Sequence, residues 1–169
     1  MKLPNYLKYL IIILISIIIA LFLIRLFSSR ELDDVSPMIK CDKELLEKSD
    51  VLWVIPLYEN FSIAEDKKWC DEILSLNKTL DLHGIYHTYK ELDYPRSKEY
   101  IESGITAFKE CFGFKPQIFK PSHLAISQQN KLLIEEEGMA LKVKLNQVLH
   151  KVYHCGDSGV FSNKFIDFF

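Results

Sequence analysis

Two adjacent acids, Asp33 and Asp34, stand in the stretch Leu32-Asp33-Asp34-Val35-Ser36-Pro37, and about fifty residues further on two histidines follow in His83-Gly84-Ile85-Tyr86-His87. One carboxylate and two imidazoles are a donor set for a borderline divalent metal, zinc foremost, and they leave a coordination position open for water. Water bound there becomes acidic enough to attack near neutral pH, and the other aspartate is then at hand to take its proton. The chemistry this points to is metal-assisted hydrolysis. Each motif also has a plainer reading: an isolated Asp-Asp commonly opens a turn, and a His-x-x-x-His pair can decorate one face of a helix. Two acids at the end of an apolar strand are costly to bury unpaired, however, and the histidine pair supplies a partner.

Such residues need a scaffold that gathers strand ends. Beyond residue 30, strand and helix patterns alternate, the signature of a parallel α/β architecture. Residues 32–35 read as a first strand, 42–48 as a helix, 51–57 as a strand apolar on both faces, 65–76 as a helix, and 79–85 as a third strand with His83 near its C-terminal end. Residues 97–112 carry the longest amphipathic pattern, closed by Gly113. Residues 117–119 begin a fourth strand that Pro121 stops, and Ser127 caps a helix over 128–137 ahead of Gly138. Residues 139–145 and 147–154 read as two further strands. In a parallel barrel the C-terminal strand ends meet at one mouth, and Asp33, Asp34, His83, His87, Pro121 and His154 all fall at such ends. The 139 residues after residue 30 are well short of the roughly 250 of a full eightfold barrel. The expected fold is therefore α/β, a parallel (β/α) barrel that is shortened or incomplete, in one domain over residues 31–169, with the aromatic ending 161–169 as a cover for its open edge.

The first thirty residues are of another kind. They hold four bases (Lys2, Lys8, Arg25, Arg30), no acid, and an uncharged run from Tyr9 to Ile24. Residues 9–27 approach the roughly 20 apolar residues of a membrane span if Arg25 extends its head to the interface. The rival is a cleaved signal peptide, but its apolar region is usually no longer than about 15 residues and ends in a small-x-small site, which Ala20-Leu21-Phe22 does not offer. An uncleaved anchor over residues 1–30 is the expectation, with the domain outside the cytoplasmic membrane. Of 21 Lys and Arg, 17 remain after residue 30 against all 23 Asp and Glu, a formal charge of −6. That balance, with no aromatic-interleaved basic run, argues against nucleic acid as a partner. The four cysteines, Cys41, Cys70, Cys111 and Cys155, permit two disulfides in an oxidising compartment and equally permit scattered buried thiols.

The order Asp-Asp, His-x-x-x-His and then the turn Phe119-Lys120-Pro121-Ser122 resembles the polysaccharide deacetylase family, and within it the subgroup with an Asp-Asp-Val-Ser-Pro opening, over residues 31–138. The resemblance implies a barrel of the glycoside hydrolase/deacetylase type that removes N-acetyl groups from a cell-envelope or extracellular polysaccharide or oligosaccharide. It implies Asp34, His83 and His87 as metal ligands and Asp33 as catalytic base. It also implies a substrate groove lined by the segment holding Lys120, Pro121 and His123, and a late histidine as general acid. His150 and His154 compete for that last role; His154 is chosen because it precedes Cys155-Gly156-Asp157 at a strand end, where Asp157 is placed to orient its ring. The arginine that many members carry in the third motif is missing, with Lys120 standing nearby. That departure and the short length motivate an alternative, a catalytically inert deacetylase-like domain that binds carbohydrate or acts as a scaffold at the membrane. Trp53 and Tyr86 are candidates for stacking on sugar faces, with core packing as the plainer role.

Overall fold

The uncharged N-terminal run folds as one helix, α1 (Asn5–Phe27), none of whose residues is buried. At about 1.5 Å per residue it reaches about 34 Å, enough to cross a hydrocarbon core of about 30 Å. The structure, a computed structural model, describes residues 4–143 and 151–157. After α1 the elements are β1 (Arg30–Val35), α2 (Lys43–Lys48), β2 (Val51–Val54), α3 (Lys67–Ser75), β3 (Thr79–His83), α4 (Lys98–Phe112), β4 (Ile118–Lys120), α5 (Gln128–Glu136), β5 (Ala140–Leu141) and β6 (Lys151–His154). Side-chain caps start the longer helices: Asp66 accepts from the Trp69 N–H, Ser97 from Tyr100 and Ser127 from Asn130. Gly113, at φ 81, ends α4 in a left-handed conformation that a side chain would strain.

The six strands form one parallel sheet in the order β5-β4-β3-β2-β1-β6. Side chains alternate along a strand, so residues in register share a face. One face presents Leu32, Leu52, Val54, Leu80, Leu82 and Phe119, which share a buried core with Leu45, Ile73, Phe108 and Ile134 of the helices. The other presents Glu31, Asp33, Trp53, Asp81, His83 and Lys120, and these are buried as well. Lys142, just past β5, donates to Glu31 on β1, although β4, β3 and β2 lie between. In a flat sheet with about 4.8 Å between strands, β5 and β1 would be about 19 Å apart. The sheet therefore curls into an open barrel whose concave side holds charged groups where larger barrels hold branched aliphatic ones. Among the described residues β5 and β6 are its two unpaired edges.

The architecture is the expected incomplete parallel barrel, with local departures. The second strand ends at Val54 rather than at 57 because Pro56 has no N–H to give the ladder. The third ends at His83 because Gly84, at φ 64, turns the chain away. β5 covers only Ala140–Leu141 of the expected 139–145 within the described residues; residues 144–150, which include the first part of the expected strand 147–154 and His150, and the aromatic ending 161–169 lie outside the described residues. The cysteines form two disulfides, Cys41–Cys155 and Cys70–Cys111, with Cα–Cα distances of 4.5 and 5.4 Å. The first ties the loop after β1 to the end of β6, and the second ties α3 to α4. Trp53 is fully buried, and Tyr86 packs against Tyr100 with ring centroids 5.3 Å apart.

Candidate metal centre

Two consecutive acids can reach one site only if the strand is interrupted between them, since alternation would send them to opposite faces. The pairing of β1 with β2 steps from Leu32↔Leu52 to Val35↔Val54, three residues against two, so β1 bulges at Asp33-Asp34. Asp34 takes the left-handed conformation, φ 64, at that bulge. Asp33 stays in register with His154 of β6. On the other side of the mouth His83 is the last residue of β3, and the loop that follows returns His87, at φ 59, over it. Left-handed backbone at non-glycine residues is strained, and such residues gather at functional sites.

The result is a tight donor cluster. Oδ1 of Asp34 lies 3.0 Å from Nε2 of His87 and 3.4 Å from Nε2 of His83, and the two Nε2 atoms are 3.2 Å apart. Zinc ligands at about 2.0–2.1 Å in a tetrahedral arrangement stand about 3.3 Å from one another. Among the described residues, the buried Oδ1 of Asp34 finds no hydrogen-bond partner outside the two imidazoles of the cluster, which fits an oxygen built to coordinate. His83 Nδ1 donates to the Lys120 carbonyl at 3.2 Å, so the neutral ring directs the lone pair of Nε2 at the cluster. These residues fit a divalent cation.

The acids and imidazoles of the cluster are electrostatically coupled. Burial would raise the pKa of Asp34, but hydrogen bonding and charge from His83 and His87 outweigh it and hold the carboxyl well below the usual range. Burial would lower His83; the charges of Asp33 and Asp34 overcome it and raise the imidazole. Burial, with His87 and His83 nearby, keeps His123 below an ordinary histidine.

Asp33 is 2% exposed. Its Oδ1 accepts from the Lys120 ammonium at 2.7 Å, while Oδ2 faces the cluster, 3.8 Å from His83 Nε2 and 3.7 Å from His154 Nε2. Lys120 is fully buried, also 3.6 Å from Glu31 and 5.2 Å above the Trp53 ring. The expectation that Lys120 lines the substrate groove therefore does not match its place: alternation along β4 turns it into the barrel beneath the cluster. Pro121 is buried too and shapes the turn Ser122–Leu124 rather than the cleft wall. His123 does line the cleft, at φ 54, its ring centroid 5.8 Å from His87 and 5.1 Å from Tyr89. His154, with 38% of its side chain exposed, forms the opposite wall. The side chain of Asp157, its expected partner, lies outside the described residues.

The cleft itself has a volume of about 220 Å³ and includes Leu124, which no sequence signal singled out. A groove of about 760 Å³ lies elsewhere, among the loop after β1, α2 and α3; it brings no comparable donor set together, so the smaller cleft is the chemical one. Glu91 also escaped the sequence reading. Its signal, one acid between two charged or polar neighbours and an apolar one, is indistinguishable from a surface residue.

No protein-family model matches the chain, and no curated protein matches it in sequence. Solved structures do. A CE4 family pseudoenzyme from Bacillus anthracis superposes with a TM-score of 0.55 at 9% identity over 85% of this chain and 58% of that one. A mutant of that pseudoenzyme with restored enzymatic activity gives 0.57 at 9% identity over 85% and 60%. The polysaccharide deacetylase Bc1974 from Bacillus cereus gives 0.52 at 12% identity over 77% and 79%. The chain thus spans about 60% of the length of the pseudoenzyme structures. At these identities the likeness is one of fold: an α/β six-stranded parallel sheet of the CE4 deacetylase type behind a long apolar N-terminal helix.

Proposed function

We propose that this chain is a membrane-anchored, metal-dependent amidohydrolase that removes acetyl groups from N-acetylated saccharides of the cell envelope or extracellular space. The observation that carries the reading is the convergence of Asp34, His83 and His87, whose ligand atoms all lie within 4.8 Å of one another, beside a second buried acid at the mouth of a deacetylase-type barrel. Those three residues would hold the cation, with zinc the first choice for this donor set. When bound, it supplies Lewis-acid polarisation of the amide carbonyl and an acidic water.

The remaining steps belong to the chain. Asp33, held at Oδ1 by Lys120, has Oδ2 directed at the cluster and takes the proton of the attacking water. His154, on the open wall, returns a proton to the departing amine. His123 and Leu124 border the bound saccharide from the other side. Lys120 provides a fixed positive charge behind the base, so the missing third-motif arginine does not leave Asp33 unsupported. The apolar helix and the two disulfides fit a domain held outside the cytoplasmic membrane, where thiols are oxidised.

The test is acetate release by the purified full chain from a panel of N-acetylated glycans with Zn²⁺, Co²⁺ or Mn²⁺ supplied. Turnover that a chelator abolishes and metal restores supports the reading. Release of acetate from no glycan, with or without bound metal, would assign the chain instead to an inert carbohydrate-binding or scaffold role, and no bound metal would exclude the metal-dependent reading.

A further inference from the structure

Glu91 is a buried acid that the reaction above does not use. It is 1% exposed, four residues past His87, and its carboxylate points back into the loop between the two histidines. Oε1 accepts from the N–H of Ile85 at 2.6 Å; Oε2 accepts from the N–H groups of Tyr86 at 3.0 Å and Thr88 at 3.3 Å, and from the Tyr100 hydroxyl at 3.4 Å. Three N–H groups of a loop that leaves the sheet thus end on one side chain. The Ile85 N–H is buried and those of Tyr86 and Thr88 are partly so; such donors need partners, and a carboxylate is the strongest acceptor a side chain can offer them.

The loop is fitted to that carboxylate at its first residue as well. Gly84 has φ 64, and a Cβ added there would stand 2.5 Å from Oε1 of Glu91. The space a side chain would take after His83 is filled by Glu91. The acid is itself anchored, because its own carbonyl accepts from Arg96 Nε at 2.7 Å and its N–H donates to the Thr88 carbonyl at 3.1 Å. His87, held at φ 59 between Tyr86 and Thr88, is flanked on both sides by amides that Glu91 binds.

We infer that Glu91 is the positioning residue of the metal centre: by binding the amides of Ile85, Tyr86 and Thr88 it holds His87 in its left-handed conformation, with Nε2 against Asp34 and His83. The inference rests on the reading of those three residues as ligands. Glu91 touches neither the cation nor the substrate, and acts through the loop. Groups that orient a ligand in this way typically contribute 10–100-fold to metal affinity.

The experiment is Co²⁺ titration of the full chain in detergent, followed by the visible absorption of the bound ion and by hydrogen exchange of the loop amides. The variants are Glu91→Gln, which keeps the volume but sets an NH₂ against at least one N–H, and Glu91→Ala; Asp66→Ala, which removes the side-chain cap that Trp69 N–H donates to at the start of α3, controls for general destabilisation. The expected result is Co²⁺ affinity weakened by roughly 10–100-fold in both Glu91 variants. An altered cobalt spectrum and faster exchange at Ile85, Tyr86 and Thr88 should accompany it, with affinity and spectrum unchanged in Asp66→Ala. If Glu91→Ala does not fold, Glu91→Gln alone carries the comparison. Wild-type affinity and spectrum in the Glu91 variants would overturn the assignment of Glu91 and leave the metal reading standing. A wild-type chain that binds no Co²⁺ would overturn the metal reading and this assignment with it.

Discussion

Replacing Lys120 with methionine isolates the charge network under the site. The ammonium is fully buried, 2.7 Å from Asp33 and 3.6 Å from Glu31, and both acids are at most 2% exposed. Methionine fills nearly the same space but leaves two buried carboxylates behind. Glu31 keeps Lys142 and the Trp53 indole N–H, which donates at 2.8 Å, so Asp33 is the acid left without its cation. Removing one partner of a buried ion pair costs about 3–5 kcal/mol, far more than the pair is worth against an apolar replacement of both partners. For a domain of this size 1 kcal/mol moves the melting temperature by about 3–5 °C, so Lys120→Met should melt about 10–20 °C below wild type. The assay is thermal unfolding of the full chain with chelator present, so that metal does not contribute. Asp33→Asn added to Lys120→Met removes the stranded charge and should recover at least half of the loss. A drop under about 3 °C, or a double variant no more stable than Lys120→Met, would refute the buried Asp33–Lys120 pair.

Three further outcomes follow from the same geometry. Alkylation without reductant should modify no cysteine, and Cys41→Ala/Cys155→Ala should lower stability more than Cys70→Ala/Cys111→Ala, because the first bridge spans 114 residues and the second 41; loop-closure entropy puts the two at about 5 and about 4 kcal/mol at most. In the metal-free protein His83 is raised by Asp33 and Asp34, so its contribution is full below the ordinary imidazole pKa and is lost as pH rises through the raised one. Coordination needs the neutral ring and releases that proton, so the gain in melting temperature on adding Zn²⁺ should grow from pH 6 to pH 8, roughly across the range where imidazoles titrate, and a flat or falling gain would contradict the ligand assignment of His83. Protease added to intact cells should digest the domain and leave a membrane-bound N-terminal fragment; protection until lysis would reverse the orientation, and a mature chain starting near Ser28 would make residues 5–27 a cleaved signal.

What the sequence made legible was local. The Asp-Asp pair, the histidine spacing and the alternation of apolar strands with amphipathic helices are short-range patterns, and they suffice to place β1 and β3 with their acids and imidazoles at one end of a parallel sheet. Lys120 shows where this stops. Its position after a short strand marks it as near the mouth, yet whether it faces the groove or the barrel depends on the register of β4 with β3, which no local pattern encodes. The left-handed turns at Asp34 and His87 were hidden for a related reason: nothing in these residue types demands positive φ, and the conformation is imposed by the bulge at the first and by Glu91 at the second. The Cys41–Cys155 pairing likewise depends on β6 lying beside β1, a contact between residues more than a hundred positions apart.

The most direct test of the account is to measure bound metal and acetate release side by side in four proteins: wild type, His83→Ala, His87→Ala and Asp33→Asn. Coordination depends on ligand lone pairs, whereas proton abstraction depends on a free carboxylate. The account predicts about one equivalent of metal and turnover in wild type, loss of both in the two histidine variants, and retained metal with turnover lowered by at least about 100-fold in Asp33→Asn. Histidine variants that keep their metal, or an Asp33→Asn protein that loses it or still releases acetate at the wild-type rate, would contradict it.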